Sequence, residues 1–248
     1  MTEELLKEFL EEKADKYNHP DFVQSDPIQI PHSFTRKEDI EISAFLVATI
    51  AWGNRKSIIR SGEKLMTVMG AAPYEYVMNY ESGRKIDFVH RTFNATDLDF
   101  FFRSLKNLYE QGGLEKAFSV EEGAMKERII AFREAFLSVE HEQRSEKHLS
   151  DPSRGSAAKR INMFLRWMVR KDGRGVDFGI WDTIPTSELM LPLDVHTGNI
   201  SRKLGLLKRK QNDWKALEEI QESLRVFDPK DPARFDFALF GLGAFEDF

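Results

Sequence analysis

At 248 residues and 41% apolar, the chain can build one large core or two lobes, and its lack of cysteine excludes disulfides, thiolate catalysis, Cys-ligated zinc and cysteine-held iron–sulfur clusters. The six histidines show no HxxxH or HExxH spacing, so neither a histidine-built metal site nor a cofactor is expected. No window approaches the roughly 18–20 consecutive apolar residues of a membrane span, and Met1-Thr2-Glu3-Glu4 lacks the basic start of a secretory signal. A soluble, cytoplasmic protein without a membrane partner is the expectation.

Residues 2–17 place Leu5, Leu6, Phe9, Leu10 and Ala14 on one stripe, which predicts an amphipathic helix. The prolines at 20, 27 and 31 bias their predecessors away from helix, so 18–35 reads as an extended connection. Asp39 to Ala51 is apolar on nearly every face and predicts a buried helix; the pattern breaks at Trp52-Gly53-Asn54-Arg55-Lys56, and a second helical run follows from Ser57. Pro73–Tyr80 and Asp97–Gln111 predict two more helices, the latter stopped by Gly112-Gly113, and Gly123–Val139 predicts another. A turn spans His148 to Ala158, and a helix over 157–170 leads into a long glycine-containing loop, 171–190. Asp194–Leu204 and 212–226 read as helices, and Asp228-Pro229 with Asp231-Pro232 opens a final apolar one. No sustained period-2 alternation occurs, so the expected class is all-α, as a single helical unit with two lobes around a cleft: about 36–150, and 151–248 plus the N-terminal helix.

The net charge of −5 is unevenly spread: residues 151–210 hold twelve basic residues against six acidic ones. That predicts a basic face on an acidic body, suited to a phosphate backbone, against the plainer reading of solvated surface charge. Gly155-Ser156 feeding Lys159-Arg160 at a helix start offers backbone amides, a favourable dipole end and two cations, for which phosphate is the natural guest. Asp194 opens a second helix and, read alone, is an ordinary N-cap; His196 in the next turn either meets phosphate or fills a polar pocket.

Gly155-Ser156-Ala157-Ala158-Lys159-Arg160, the apolar helix after it, Leu191-Pro192-Leu193-Asp194-Val195-His196, and Arg202-Lys203-Leu204-Gly205-Leu206 together resemble the helix-hairpin-helix (HhH-GPD) DNA glycosylase superfamily. The resemblance implies that helical architecture, double-stranded DNA as partner, and a base-excision-repair N-glycosylase with AP lyase activity. It puts Lys159 at the position of the Schiff-base lysine and Asp194 at that of the essential aspartate. It assigns Gly155, Ser156, Arg160, His196, Arg202 and Lys203 to DNA binding, and it places Trp52, Asn54 and Arg55 where residues probe the duplex. Ala157 stands for the second hairpin glycine, and Ser153-Arg154-Gly155 for the usual Leu-Pro-Gly. The 171–190 insertion lengthens the lysine-to-aspartate spacing in a manner similar to archaeal 8-oxoguanine glycosylases, which points to an oxidised purine as the damaged base. The cysteine cluster of the endonuclease III branch is missing, and with it any iron–sulfur cluster. Pro192-Leu193-Asp194-Val195-His196-Thr197 and Asp231-Pro232-Ala233-Arg234-Phe235-Asp236-Phe237-Ala238-Leu239 also resemble a bacterial family known only as a domain of unknown function.

The pair makes sense as chemistry. Cleaving an N-glycosidic bond builds positive charge on the sugar, which a carboxylate stabilises, while a neutral lysine attacks C1′. The competing reading is a nucleic-acid-binding helical module of the same fold without catalysis. A metal-dependent hydrolase is disfavoured, because Asp151, Asp172, Asp177 and Asp182 lack ligand spacing.

Overall fold

Eleven α-helices and one short β-hairpin are found among the described residues, 2–119, 124–246 and 248, of the computed structural model. In chain order they are α1 (Glu3–Tyr17), α2 (Lys37–Thr49), α3 (Arg55–Val68), α4 (Pro73–Met78), β1 (Val89–His90), β2 (Phe93–Asn94), α5 (Ala95–Glu110), α6 (Leu114–Ala117), α7 (Met125–Leu137), α8 (Lys159–Val169), α9 (Val195–Lys203), α10 (Trp214–Phe227) and α11 (Asp236–Phe245). The chain divides into two compact units, Met1–Phe22 with Asp151–Phe248, and Val23–Ser150. No described helix is long and apolar enough to cross a membrane.

In the Val23–Ser150 unit, α2 is buried from Ile40 to Thr49, as its all-round apolar pattern requires. Phenylalanines close around it: Phe45 meets Phe132 edge-on at 5.6 Å, and Phe118 stacks on Phe132 at 3.9 Å. Each fully buried Phe contributes on the order of 2–3 kcal/mol, so this cluster is the main stabilising mass of the unit. Helix α5 starts in a capping box, with Asn94 accepting from the Thr96 and Asp97 amides and Asp97 accepting from the Asn94 amide. Gly123, where the periodicity begins the α7 helix, lies outside the described residues.

Two expectations for this stretch of chain change. The connection 18–35 is not extended; it forms three short 3-10 turns, Pro20–Ser25, Pro27–Gln29 and Pro31–Ser33, each opening on a proline. The fixed proline φ that excludes an α-helix interior suits the first position of such a turn, and Asp26 caps the second through the Ile28 amide. An antiparallel hairpin pairs Val89 with Asn94 and His90 with Phe93. Four residues are too few for a period to register.

In the Met1–Phe22 and Asp151–Phe248 unit, α1 and α9 both pack against α11. A Cβ on Gly241 of α11 meets the Tyr17 ring at 2.1 Å, so only glycine permits this approach of α1. Gly241→Ala is therefore expected to cost about 1–3 kcal/mol by overpacking, read as a lowered urea midpoint at unchanged slope. The glycine-containing loop 171–190 is also built into this unit. Its Phe178 and Gly179 amides donate to the Trp167 carbonyl, and its Ile180 and Trp181 amides to that of Met168, which satisfies open carbonyls at the α8 C-terminus. Val176, Trp181 and Ile184 are buried with it.

Candidate active site at two helix starts

The turn before α8 is shaped by short side chains. Asp151 accepts from the amide and the hydroxyl of Ser153 at 2.9 and 2.6 Å, closing a 3-10 turn that ends on Gly155 at φ 88°, ψ 4°. Glycine takes that left-handed angle without strain. The chain then bridges to Asp213, with the Trp214 amide donating to the Gly155 carbonyl at 2.9 Å, and the Ala158 amide donates to Ser156 Oγ. Ala158 itself is left-handed at φ 47°, an unusual conformation for a residue with a Cβ that costs roughly 1–2 kcal/mol. It holds the N-cap position of α8 and provides no side-chain cap, so the first-turn amides receive none.

Lys159 is the first residue of α8 and is half-buried. Among the described residues its amine makes no direct hydrogen bond or ion pair. Burial pulls the neighbouring Arg160 guanidinium down to about 10. Asn162 is fully buried in the same first stretch of helix; its amide nitrogen donates to the Ala157 carbonyl, and its Oδ1 has no partner among the described residues.

Asp194 caps α9, accepting from the Thr197 amide at 2.9 Å, and its own carbonyl accepts from Asn212 Nδ2 at 2.9 Å. Thr197 is fully buried, with Oγ1 unpartnered among the described residues. Buried polar atoms left unpaired are uncommon, and here one lies in the opening of each helix. Because the cap bond needs only an acceptor oxygen, Asp194→Asn is expected to keep full stability, whereas Asp194→Ala loses about 1 kcal/mol in chemical unfolding.

Asp236, the first residue of α11, is buried and forms an ion pair with Arg166 of α8, and α11 packs against α9. Burial raises its carboxyl to about 6 and the Asp194 charge adds to the rise, while Arg166 and Lys159 oppose it. Arg166 also pairs with Asp177 at 3.2 Å and lies over the Phe237 ring at 4.4 Å. One turn on, Arg170 binds Asp172, Asp177 and Asp231 at 2.8, 3.2 and 2.9 Å. Burial alone would lower Arg170, but these carboxylates outweigh it and hold the guanidinium above its usual range. This buried Arg–Asp network was not anticipated; its signal was Arg166 and Arg170, one helical turn apart within an otherwise apolar segment.

The remaining residues singled out in the sequence fall in different places. His196 is exposed beside the α9 start, with its Cβ 3.0 Å from where one would stand on Gly243 of α11. Arg202 is engaged in structure, donating to the carbonyls of Arg209 and Lys210 and to Asn212 Oδ1, and Lys203 donates to the Phe248 carbonyl. Trp52, Asn54 and Arg55 belong to the Val23–Ser150 unit. There the Trp52 ring stacks on His148 at 5.9 Å and meets His90 edge-on at 5.1 Å, and Asn54 caps α3 through the Ser57 amide. His90 pairs with Ser61 Oγ at 2.8 Å and the Trp52 carbonyl at 3.3 Å; since a carbonyl only accepts, Nε2 carries the proton. Burial lowers its affinity for a second proton, and Arg91 lowers it further. Among the described residues no group of three or more His, Asp or Glu side chains is arranged to hold a metal ion.

A family model described as "Protein of unknown function (DUF2400)" matches residues 26–245. No curated protein and no solved structure matches the chain.

Proposed function

The chain belongs to the family of unknown function DUF2400, and we propose that it works as a DNA glycosylase with AP lyase activity on the HhH-GPD plan, removing a damaged base from double-stranded DNA. One observation carries the reading: α11, whose Asp236 pairs with Arg166 of α8, packs against α9, so the helix that Lys159 starts without a side-chain cap and the helix that Asp194 caps both meet α11. Helix starts far apart in sequence thus share one neighbouring helix, and they carry the two groups that the chemistry needs. Lys159 has no competing ion pair among the described residues, as a nucleophile requires.

In the reaction the neutral Lys159 Nζ adds to C1′ while the C1′–N bond breaks and the base leaves with the bonding electrons and takes up a proton. Sugar-ring opening and loss of an amine proton leave an imine between Nζ and C1′. The Asp194 carboxylate stabilises the positive charge that builds on the sugar. The target nucleotide must first leave the stack, at a cost of a few kcal/mol. Exposed Arg154, Lys171, Lys208 and Lys210 supply cations for the DNA backbone, and the reading expects log affinity to fall with log salt by roughly 0.9 per phosphate neutralised.

Borohydride trapping on duplexes carrying an abasic site or oxidised, alkylated and deaminated bases tests the proposal, because hydride reduces the imine to a stable amine. Covalent complex through Lys159 is the expected result. Salt-sensitive binding without trapping or nicking on any of these duplexes would leave a binding module in its place.

A further inference from the structure

We propose that Ser61 and His90 form a nucleophile–base pair on the Val23–Ser150 unit, through which Ser61 takes the acyl or phosphoryl group of an activated ester. The site stands apart from Lys159 and Asp194, which belong to the other unit, and asks nothing of them. Ser61 is on α3 and His90 ends β1, and the two elements pack together. The Ser61 hydroxyl oxygen lies 2.8 Å from His90 Nδ1, and His90 Nε2 lies 3.3 Å from the Trp52 carbonyl. A carbonyl only accepts, so the ring proton sits on Nε2 and Nδ1 is left to accept the proton of Ser61. Nucleophile, base and orienting group thus follow one another in hydrogen-bond sequence, the arrangement that activates a serine.

The contact differs from that of an ordinary helix serine. A serine inside a helix often returns its hydroxyl to the carbonyl four residues back, as Ser201 does to Thr197 and Ser223 to Glu219. Ser61 instead gives its proton to a base on another element. The imidazole is fixed, being buried, edge-on to Trp52 at 5.1 Å and tied at both nitrogens. Ser61 is only half-buried, so the base is screened from water while the nucleophile reaches the surface. Burial also keeps the imidazole below its ordinary affinity for a second proton, which leaves it in the neutral form that a general base requires at pH 7. In the reaction Ser61 Oγ bonds to the electrophilic carbon or phosphorus and its proton passes to His90 Nδ1. The leaving group departs with the electron pair of the broken bond and takes that proton from His90. Water attacking the acylated or phosphorylated serine by the same route, with His90 as base, restores the hydroxyl and releases the acid.

Diisopropyl fluorophosphate, whose fluoride is the leaving group, tests the pair on the full-length protein without DNA, with the site and rate of each adduct followed by mass spectrometry. Ser61 is expected to react at least about a hundredfold faster than Ser57, which is exposed one turn earlier on the same helix. His90→Gln, its fold checked by circular dichroism, should bring Ser61 down to the rate of Ser57. Should that variant not fold, the comparison of Ser61 with Ser57 in the wild type decides alone. A wild-type Ser61 that stays unlabelled or reacts no faster than Ser57 overturns the inference and leaves the contact a structural tie between α3 and the hairpin. A folded His90→Gln that labels at the wild-type rate overturns it as well, because the hydroxyl then needs no base. Neither result bears on trapping through Lys159.

Discussion

Arg166→Met is expected to cost roughly 3–5 kcal/mol, because it strips the shared cation from two buried carboxylates, Asp177 and Asp236. Arg170 still pairs with Asp177, but among the described residues Asp236 has no ion pair other than that with Arg166. The loss has a pH signature. The folded-state carboxyl of Asp236 is raised by burial to about 6 from the usual 3.8, so its contribution to stability is fully present below about 3.8 and lost as pH rises through about 6. Arg166 favours the ionised form, and removing it pushes the carboxyl higher still. The deficit of the variant should therefore be widest near pH 8 and narrow as the pH falls toward about 5, where the orphaned acids take up protons. Urea unfolding across that range checks it. A deficit that is small or independent of pH would show that the ion pair is not what holds this part of the unit together.

How much of this was legible in the sequence follows from the range of each interaction. The helices could be read because their signals are local: the 3.6-residue apolar period of α1 and α5, the glycine pair after α5, and the aspartate before α9 are complete within a turn or two. Lys159 at a helix start and Asp194 at another are visible for the same reason. The hairpin at 89–94 escaped because two-residue strands have no period, and 18–35 misled because proline excludes α-helix without excluding 3-10 turns. Loop 171–190 read as open glycine-rich chain, yet its amides close on α8 carbonyls that no local pattern reveals. Asp236 lies inside the Asp231–Leu239 segment that carries the family resemblance, but no local pattern marks its role, since its partner Arg166 lies on a different helix. Arg202, which the resemblance assigns to DNA binding, donates its guanidinium to the Arg209 and Lys210 carbonyls and to Asn212 Oδ1. Charge reversal there would therefore confuse folding with binding, and exposed Lys208 and Lys210 are the better choice for probing the salt dependence.

Lys159→Gln is expected to abolish both strand nicking and borohydride trapping, since an amide nitrogen forms no imine with C1′. The substitution should leave the fold intact: the side chain is half-buried and, among the described residues, makes no hydrogen bond or ion pair that would be lost. Asp194→Asn separates chemistry from structure still more cleanly. The asparagine oxygen retains the cap bond to the Thr197 amide, so α9 keeps its start, while the charge that stabilises the sugar cation disappears. Base removal should then slow on the order of a hundredfold or more, the scale of losing one electrostatic contact to a developing charge. Duplex affinity should hold or rise slightly, because phosphate contacts supply most of the binding and one negative charge near the backbone is gone. Single-turnover base release, trapping yield and titration of the same duplex, measured on both variants, distinguish the outcomes. If Lys159→Gln still traps, the nucleophile is another amine; if both variants match wild type in every respect except affinity, the two helix starts form a binding surface and the catalytic reading fails.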